Sequence, residues 1–215
     1  MPKNTRCAFC AIAACLLLAA TLAAQQPSCN PWKFERDAAA DFSFKQRACS
    51  QAARLVKPSM ALHGALVAGF GQWRNSPEVF HEDPSEFAHR FAVFYARRTA
   101  QNTGELLAGY FNHEDPRPRV SREHGFWNRT RGALLSVVQT KDADGSVRPA
   151  LAPIAGAFGS GMVGVACYEK NNDAAHGFRR SGIVYSTYFA NALFREFKPD
   201  LSTFAYRLLR QKRPY

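Results

Sequence analysis

The sequence of 215 residues lacks the short motifs that mark the common enzyme classes. It has no Gly-x-Ser-x-Gly nucleophile motif, no His-Glu-x-x-His zinc motif and no phosphate-binding loop ending in Gly-Lys-Ser/Thr. No Cys-x-x-Cys pair follows the N-terminal apolar segment either. These absences lower the expectation of an enzyme and favour a binding or structural protein.

Acidic residues and isoleucine are both scarce. There are 17 Asp and Glu against 28 Lys and Arg, which leaves a formal net charge of +11. Only two isoleucines, Ile154 and Ile183, follow residue 23, and Ala, Leu and Phe supply most of the apolar residues. A hydrophobic content of 47% excludes a disordered or collagen-like chain, and this choice of apolar residues favours helices over strands.

The N-terminus has the layout of a secretory signal peptide. Lys3 and Arg6 precede an apolar run from Cys7 to Ala24. Cleavage after Ala23 would remove two cations and no acid, so the net charge falls from +11 to +9. We therefore predict a signal peptide over 1–23 and an exported protein, periplasmic or secreted, over 24–215. An uncleaved anchor helix is the alternative, because about eighteen apolar residues is near the lower limit for spanning a bilayer.

Three cysteines remain after this leader, at Cys29, Cys49 and Cys167. An oxidising compartment would allow a disulfide between Cys29 and Cys49, which closes a loop of about twenty residues and stabilises the fold by roughly 3 kcal/mol. Cys167 follows an apolar stretch, so we expect it to be a buried thiol of low reactivity.

The spacing of apolar residues predicts an all-α protein. Helices are expected over 37–56, from Pro58 to about residue 70, from Pro84 onward, over 121–138, and up to Lys198. Asp200 is expected to cap a last helix. No linker divides the chain, so the sequence predicts one globular domain of about six or seven helices.

The tetrapeptide His-Glu-Asp-Pro occurs twice, at 81–84 and 113–116. An imidazole beside carboxylates can bind a divalent metal or transfer protons. The metal candidates are His81, Asp83, His113 and Asp115, and the catalytic candidates are His113, Glu114 and Asp115. A continuous helix would hold the two copies about 40 Å apart, so they meet only if the chain folds back near Thr103-Gly104. Helix capping is the alternative, and we favour it.

A second candidate site extends the aromatic stripe of Phe87, Phe91 and Phe94. At the same three-and-four spacing the stripe continues to Arg98, Gln101 and Glu105. If this face stays buried, Arg98 and Glu105 must be paired, and a paired buried charge cluster is a catalytic or binding candidate. The alternative is that the helix ends near residues 102–104 or turns this face to solvent.

Residues 149–168 form the longest uncharged segment after the leader. Twenty residues can cross a bilayer, but two prolines and four glycines make this a poor spanning helix, so a buried helix or helix-loop element is favoured. Gly156, Ser160 and Gly164 recur every four residues and predict a small-residue groove where another helix packs closely.

The C-terminus ends in a group of basic residues, which are Arg207, Arg210, Lys212 and Arg213. They can complement a helix dipole or contact an anionic surface. Together these features predict an exported envelope protein that binds an anionic surface or a partner helix, with membrane association open; export disfavours nucleic acid. A small acid–base or metal-dependent hydrolase using the His-Glu-Asp-Pro segments is the alternative. No cofactor is predicted beyond that divalent metal.

Overall fold

A computed structural model describes residues 43–74, 84–115, 125–141, 146–168 and 174–211. These residues form six helices: α1 (Phe44–Leu55), α2 (Pro58–Trp73), α3 (Pro84–Phe111), α4 (Phe126–Val138), α5 (Ala152–Tyr168) and α6 (Ala174–Gln211). Two short strands, β1 (Gln139–Lys141) and β2 (Val147–Pro149), lie between α4 and α5. The predicted all-α single domain is confirmed. The predicted signal peptide lies outside the described residues.

The helix starts follow from local capping chemistry. Ser43 and Gln46 form a capping box at the start of α1: the Ser43 hydroxyl accepts from the Gln46 amide, and the Gln46 side chain accepts from the Ser43 amide. Pro58 begins α2, because its missing N–H is not needed in a first helical turn.

The core is built around α5, which packs between α3 and α6. Its small residues allow this close approach. A side chain at Gly159 would place its Cβ 2.9 Å from the Ala100 carbonyl oxygen on α3, and one at Gly161 would collide with Ser181 on α6. The 17-residue helix is therefore held by backbone proximity on two sides. In the described ranges, no helix is long and apolar enough to cross a membrane.

The predicted small-residue groove lies on this central helix. Gly156 faces Gln101 and Glu105 on α3 and Tyr188 on α6, while Gly164 faces Arg97 on α3. Ser160 is 2% exposed. The three residues therefore lie at buried positions of the helix that occupies the centre of the domain.

One predicted helix end, at Lys198, is wrong, and the alternative of a helix end near residues 102–104 is not seen. Helix α3 continues through Thr103-Gly104 to Phe111, because Gly104 packs against the α5 backbone instead of ending the helix. Helix α6 continues through Pro199, and Asp200 does not cap a new helix. Its carboxylate accepts a hydrogen bond of 2.7 Å from Arg129 on α4. Tertiary contacts therefore outweigh both local helix-breaking signals.

The sequence also gave no sign of the β1–β2 hairpin, which pairs Thr140 with Arg148 in antiparallel register. Each strand is only three residues long, too short for an alternating apolar pattern to be detected. The hairpin connects the end of α4 to the start of α5, and its residue Thr140 is buried.

Arg129 on α4 links that helix to α6 by hydrogen bonds. The Arg129 guanidinium donates to the Glu196 carboxylate at 2.9 Å, to the Glu196 carbonyl at 2.8 Å and to Asp200, and it lies 4.7 Å from the centre of the Phe197 ring. Hydrogen bonds to these two carboxylates raise the pKa of Arg129. Glu196 is 2% exposed, so its carboxylate depends on this partner.

We expect Arg129→Ala to lower the free energy of unfolding more than Asp200→Asn does. The first change leaves the buried Glu196 carboxylate without its guanidinium, whereas Asp200 has 58% of its side chain exposed and can be hydrated. Urea unfolding of the two variants checks the order. Equal losses would show that the buried Glu196 carboxylate does not need Arg129.

Candidate functional site

A cavity of about 370 Å³ opens where α1, α3 and α6 meet the start of α5 and the β1–β2 hairpin. Two thirds of its lining residues are polar. They include four arginines from three helices: Arg47 and Arg54 on α1, Arg98 on α3, and Arg195 on α6. Three acids line the same cavity, namely Glu105, Glu114 and Asp115.

The floor of the cavity is a hydrogen-bonded cluster that joins α3 to α6. The Tyr188 hydroxyl donates to Glu105 Oε1 at 2.5 Å, and the Gln101 amide nitrogen lies 3.1 Å from the same oxygen and 2.7 Å from the Tyr188 hydroxyl. Arg98 donates to Gln101 Oε1 at 2.9 Å. Each of these four side chains is therefore hydrogen-bonded within the cluster.

Tyr188 stays protonated as the donor in this cluster. Burial raises the pKa of its phenol, and the negative charge and hydrogen bond of Glu105 raise it further, against the smaller opposing effects of Gln101 and Arg98. The Glu105 carboxylate thus accepts from a neutral phenol. Its charge remains available to the arginines around it.

Two further arginines, Arg54 and Arg195, line the cavity near Glu105. Arg54 Nη1 lies 3.8 Å from Glu105 Oε2, and the same nitrogen donates to Gln51 Oε1 at 3.4 Å. Across the described part of the chain, Arg195 makes no hydrogen bond or ion pair. Partial burial lowers the pKa of Arg195, the positive charge of Arg54 lowers it further, and Glu105 acts in the opposite direction. Two cations therefore face one carboxylate that already has other partners.

The second His-Glu-Asp-Pro segment joins two helix ends. His113 has φ of 52°, the amide of His113 donates to the Tyr110 carbonyl, and the amide of Glu114 donates to the Gly109 carbonyl. This is the Schellman arrangement that ends α3. Arg47 Nη1 adds hydrogen bonds to the carbonyls of Gly109 and Glu114, at 3.2 and 2.6 Å.

Glu114 also caps the start of α5. Its Oε1 accepts from the backbone amides of Leu151 and Ala152 at 2.5 and 3.1 Å, and from the Asn112 side chain at 2.8 Å. The residue is 5% exposed. A carboxylate at a helix N-terminus satisfies amides that have no partner within the helix and complements the helix dipole. The capping predicted from the sequence was by the Asp before Pro, whereas the cap seen here is Glu114, which acts on a helix 37 residues further along the chain.

The structure brings together some of the predicted site residues and separates others. Arg98, Glu105, Glu114 and Asp115 line the cavity, while His113 is exposed at the end of α3. Continuous helix α3 does not fold back at Thr103-Gly104. His81 and Asp83 lie outside the described residues, and within the described ranges no three His, Cys, Asp or Glu side chains group as metal ligands.

The remaining predicted residues lie away from the cavity. Cys49 on α1 is disulfide-bonded; its predicted partner Cys29 lies outside the described residues, so the pairing stays a prediction. Cys167 is half-buried near the end of α5. Arg207 is exposed on the last turns of α6, and Arg210 is also on that helix. Lys212 and Arg213 lie outside the described residues.

Several cavity residues were missed from the sequence, among them Arg54, Tyr188 and Arg195. Each belongs to a different stretch of helix pattern from the Arg98–Glu105 cluster, and only the packing of α1 and α6 against α3 brings them to it. The helical pattern around Tyr188 indicates no partner for its hydroxyl. The missed residues complete the cationic wall and the donor for Glu105.

The fold and cavity define a helical domain with an arginine-lined polar cavity. No family model, curated protein or solved structure matches this chain.

Proposed function

We propose that this protein is a binding module that holds a small anion, bearing a carboxylate or phosphate group, in the arginine-lined cavity. One observation carries the proposal: Arg54 and Arg195 line the cavity together with Glu105, Arg54 Nη1 lies 3.8 Å from Glu105 Oε2, and Arg195 is exposed with no hydrogen-bond partner among the described residues. An anion placed there would satisfy both guanidiniums.

The chemistry of the wall favours an anion over a cation or an apolar ligand. Guanidinium groups present planar pairs of donors that match carboxylate and phosphate oxygens. Two guanidiniums held close together repel each other, and an anion between them removes that cost. Another arginine of the cavity wall, Arg98, already donates a hydrogen bond to Gln101. Its positive charge would attract an anion without direct contact with it.

The size of the cavity limits the ligand to a small molecule, and its uncharged polar groups can orient that molecule. A volume of about 370 Å³ is near the lower end of the range for small-molecule sites. Asn102 and Asn191 provide neutral polar groups beside the arginines, and the Asn102 amide already donates to the Gln51 carbonyl at 3.3 Å. These groups would orient the uncharged part of the ligand.

We also propose that the protein works outside the cytoplasm, in the cell envelope or after secretion. Support comes from the charged and apolar layout of residues 1–24 and from a net charge that stays at +9 without the leader. A basic surface would bring the protein to the anionic components of an envelope. Mass spectrometry of the protein purified from cells tests whether it is cleaved near Ala23. A protein that keeps residues 1–23 and stays in the cytoplasm contradicts export.

The anion proposal predicts that cavity arginines control binding. Isothermal titration of the purified chain with citrate, inorganic phosphate and pyrophosphate should show binding of at least one of them. Arg54→Gln and Arg195→Gln should each weaken it by about tenfold, because each removes a charge-assisted contact. Arg131→Gln is the matched control, since Arg131 is an exposed arginine on α4 outside the cavity. Equal losses in all three variants, or no binding to the unchanged protein, would overturn the proposal.

An acid–base hydrolase is the second candidate, because the Glu105 carboxylate and the Tyr188 hydroxyl form a hydrogen-bonded pair at the cavity. Glu105→Gln separates the two functions. As a binding module, this variant should bind the anion up to about fivefold more tightly, since a negative charge that competes with the anion for the arginines is removed. As a hydrolase, it should lose turnover of p-nitrophenyl esters and phosphates that the unchanged protein hydrolyses.

A further inference from the structure

A second surface, unrelated to the cavity, is the outer face of α2. This helix of 16 residues contains no Asp, Glu, Lys or Arg. Only two of its residues are buried, Gly64 and Ala68, and both are small. Gly64 lies against the rings of Phe91 and Phe94 on α3, so the small residues let α2 pack closely while its large side chains point away.

The large apolar side chains of α2 form one exposed stripe. Leu62 and Leu66 are each 63% exposed, Phe70 is 56% exposed and Trp73 is 78% exposed. These positions lie four, four and three residues apart, which places them along one face over about 17 Å of helix. Val67 widens the stripe and is also exposed. Isolated apolar residues on a surface are ordinary, but a contiguous stripe of large ones marks an interaction site.

Charge and aromatic residues at the ends of α2 indicate what covers the stripe. Lys57 immediately precedes the helix and Arg74 immediately follows it, so cations bracket an uncharged span. Trp73 and Phe70 pack together at the Arg74 end, with ring centres 5.6 Å apart. Tryptophan beside a basic residue is typical of the boundary between lipid headgroups and acyl chains, where the ring is buried and the cation reaches the phosphate.

We propose that α2 docks the protein on an anionic lipid bilayer, lying flat in the interface with Leu62, Leu66, Phe70 and Trp73 inserted. The described part of α2 is too short to span a membrane, and its inner face is occupied by α3, so the contact is with one leaflet. The net positive charge of the chain attracts it to anionic headgroups, and the apolar stripe supplies the insertion. A second copy of the chain is the competing occupant, but the flanking cations of two copies would have to approach each other or be offset.

The test measures both binding and the depth of Trp73. Because the chain has three tryptophans, a Trp32→Phe/Trp127→Phe background leaves Trp73 as the sole reporter. With vesicles of phosphatidylcholine and phosphatidylglycerol, its emission should shift to shorter wavelength and be quenched by lipids brominated along the acyl chains. Vesicles of phosphatidylcholine alone, or added salt, should weaken binding. Vesicle binding with Trp73 still in water would overturn the proposal, because another segment would then be the anchor.

Paired variants identify the face that binds. Leu66→Ser/Phe70→Ser should reduce co-sedimentation with anionic vesicles by about tenfold, because two inserted apolar side chains are lost. The matched control is Ile183→Ser/Phe194→Ser on α6, where the two side chains are 61% and 60% exposed. It should bind vesicles as the unchanged protein does. Equal losses in both pairs overturn the proposal, as does a dimer in lipid-free solution that dissociates in the α2 pair alone.

Discussion

Gly104→Ala is expected to lower the free energy of unfolding by about 2 kcal/mol, although alanine is the better helix former. A Cβ at position 104 would lie 2.6 Å from the Ala155 carbonyl oxygen and 3.0 Å from the Gly156 amide nitrogen. Both neighbours are backbone atoms of α5, so no side-chain rotation relieves the collision. The two helices must move apart along the largest interface of the core. Urea unfolding followed by circular dichroism measures the loss.

Gly182→Ala on α6 is the matched control for this prediction. A Cβ at position 182 meets no atom within 4 Å, and the residue is exposed within the helix. The same chemical change should therefore stabilise the protein by about 0.5–1 kcal/mol, because only the helix propensity changes. If both substitutions stabilise the protein, α3 and α5 are not in backbone contact at Gly104.

The sequence predicted the α5 side of this close helix contact but not the α3 side. The recurrence of Gly156, Ser160 and Gly164 indicated which face of α5 receives another helix. The partner residue on α3 was missed, because a glycine beside Thr103 and Asn102 has the local features of a helix end. Local sequence does not distinguish a glycine that ends a helix from one that lets two helices touch. The difference lies in the packing of Gly104 against Ala155, a residue on another helix about 50 positions further along the chain.

The candidate site could likewise be predicted only in part from the sequence. Arg98, Gln101 and Glu105 share one helix and one spacing, so their grouping was predictable, and the structure shows Gln101 bonded to both of the others. Tyr188 and Arg195 come from another helix that lies more than 80 residues along the chain. Their contribution depends on how α6 packs on α5 and α3, which helical periodicity does not specify. The sequence therefore indicated the floor of the cavity but not its cationic wall.

The repeated His-Glu-Asp-Pro segment shows how a motif with apparent chemistry serves the fold. At its second copy, two residues serve a helix junction: His113 adopts the left-handed conformation after α3, and the Glu114 carboxylate reaches the first amides of α5. Histidine tolerates that conformation better than most residues with a side chain. The same residue types were candidates for metal binding, because composition alone does not distinguish a ligand from a cap.

Glu114→Ala is expected to lower the free energy of unfolding by about 2–3 kcal/mol. The substitution leaves the amides of Leu151 and Ala152 and the Asn112 side chain without their shared acceptor, and that acceptor is a buried charge near a helix N-terminus. Helix α5 fills the centre of the domain, so a weaker start loosens its packing on both sides. Thermal and urea unfolding of the purified variant measure the effect.

Two further variants of the same segment separate capping from metal chemistry. Glu114→Gln keeps an oxygen acceptor in place and should recover more than half of the stability that alanine loses, because the charge contributes less than the hydrogen bonds. His113→Gly should leave stability unchanged or raise it by about 0.5 kcal/mol, since glycine adopts a φ of 52° without strain. If His113→Gly instead destabilises the protein as much as Glu114→Ala, and added Zn²⁺ stabilises only the unchanged chain, the segment is a metal site. A loss confined to Glu114→Ala assigns the segment to the junction between α3 and α5.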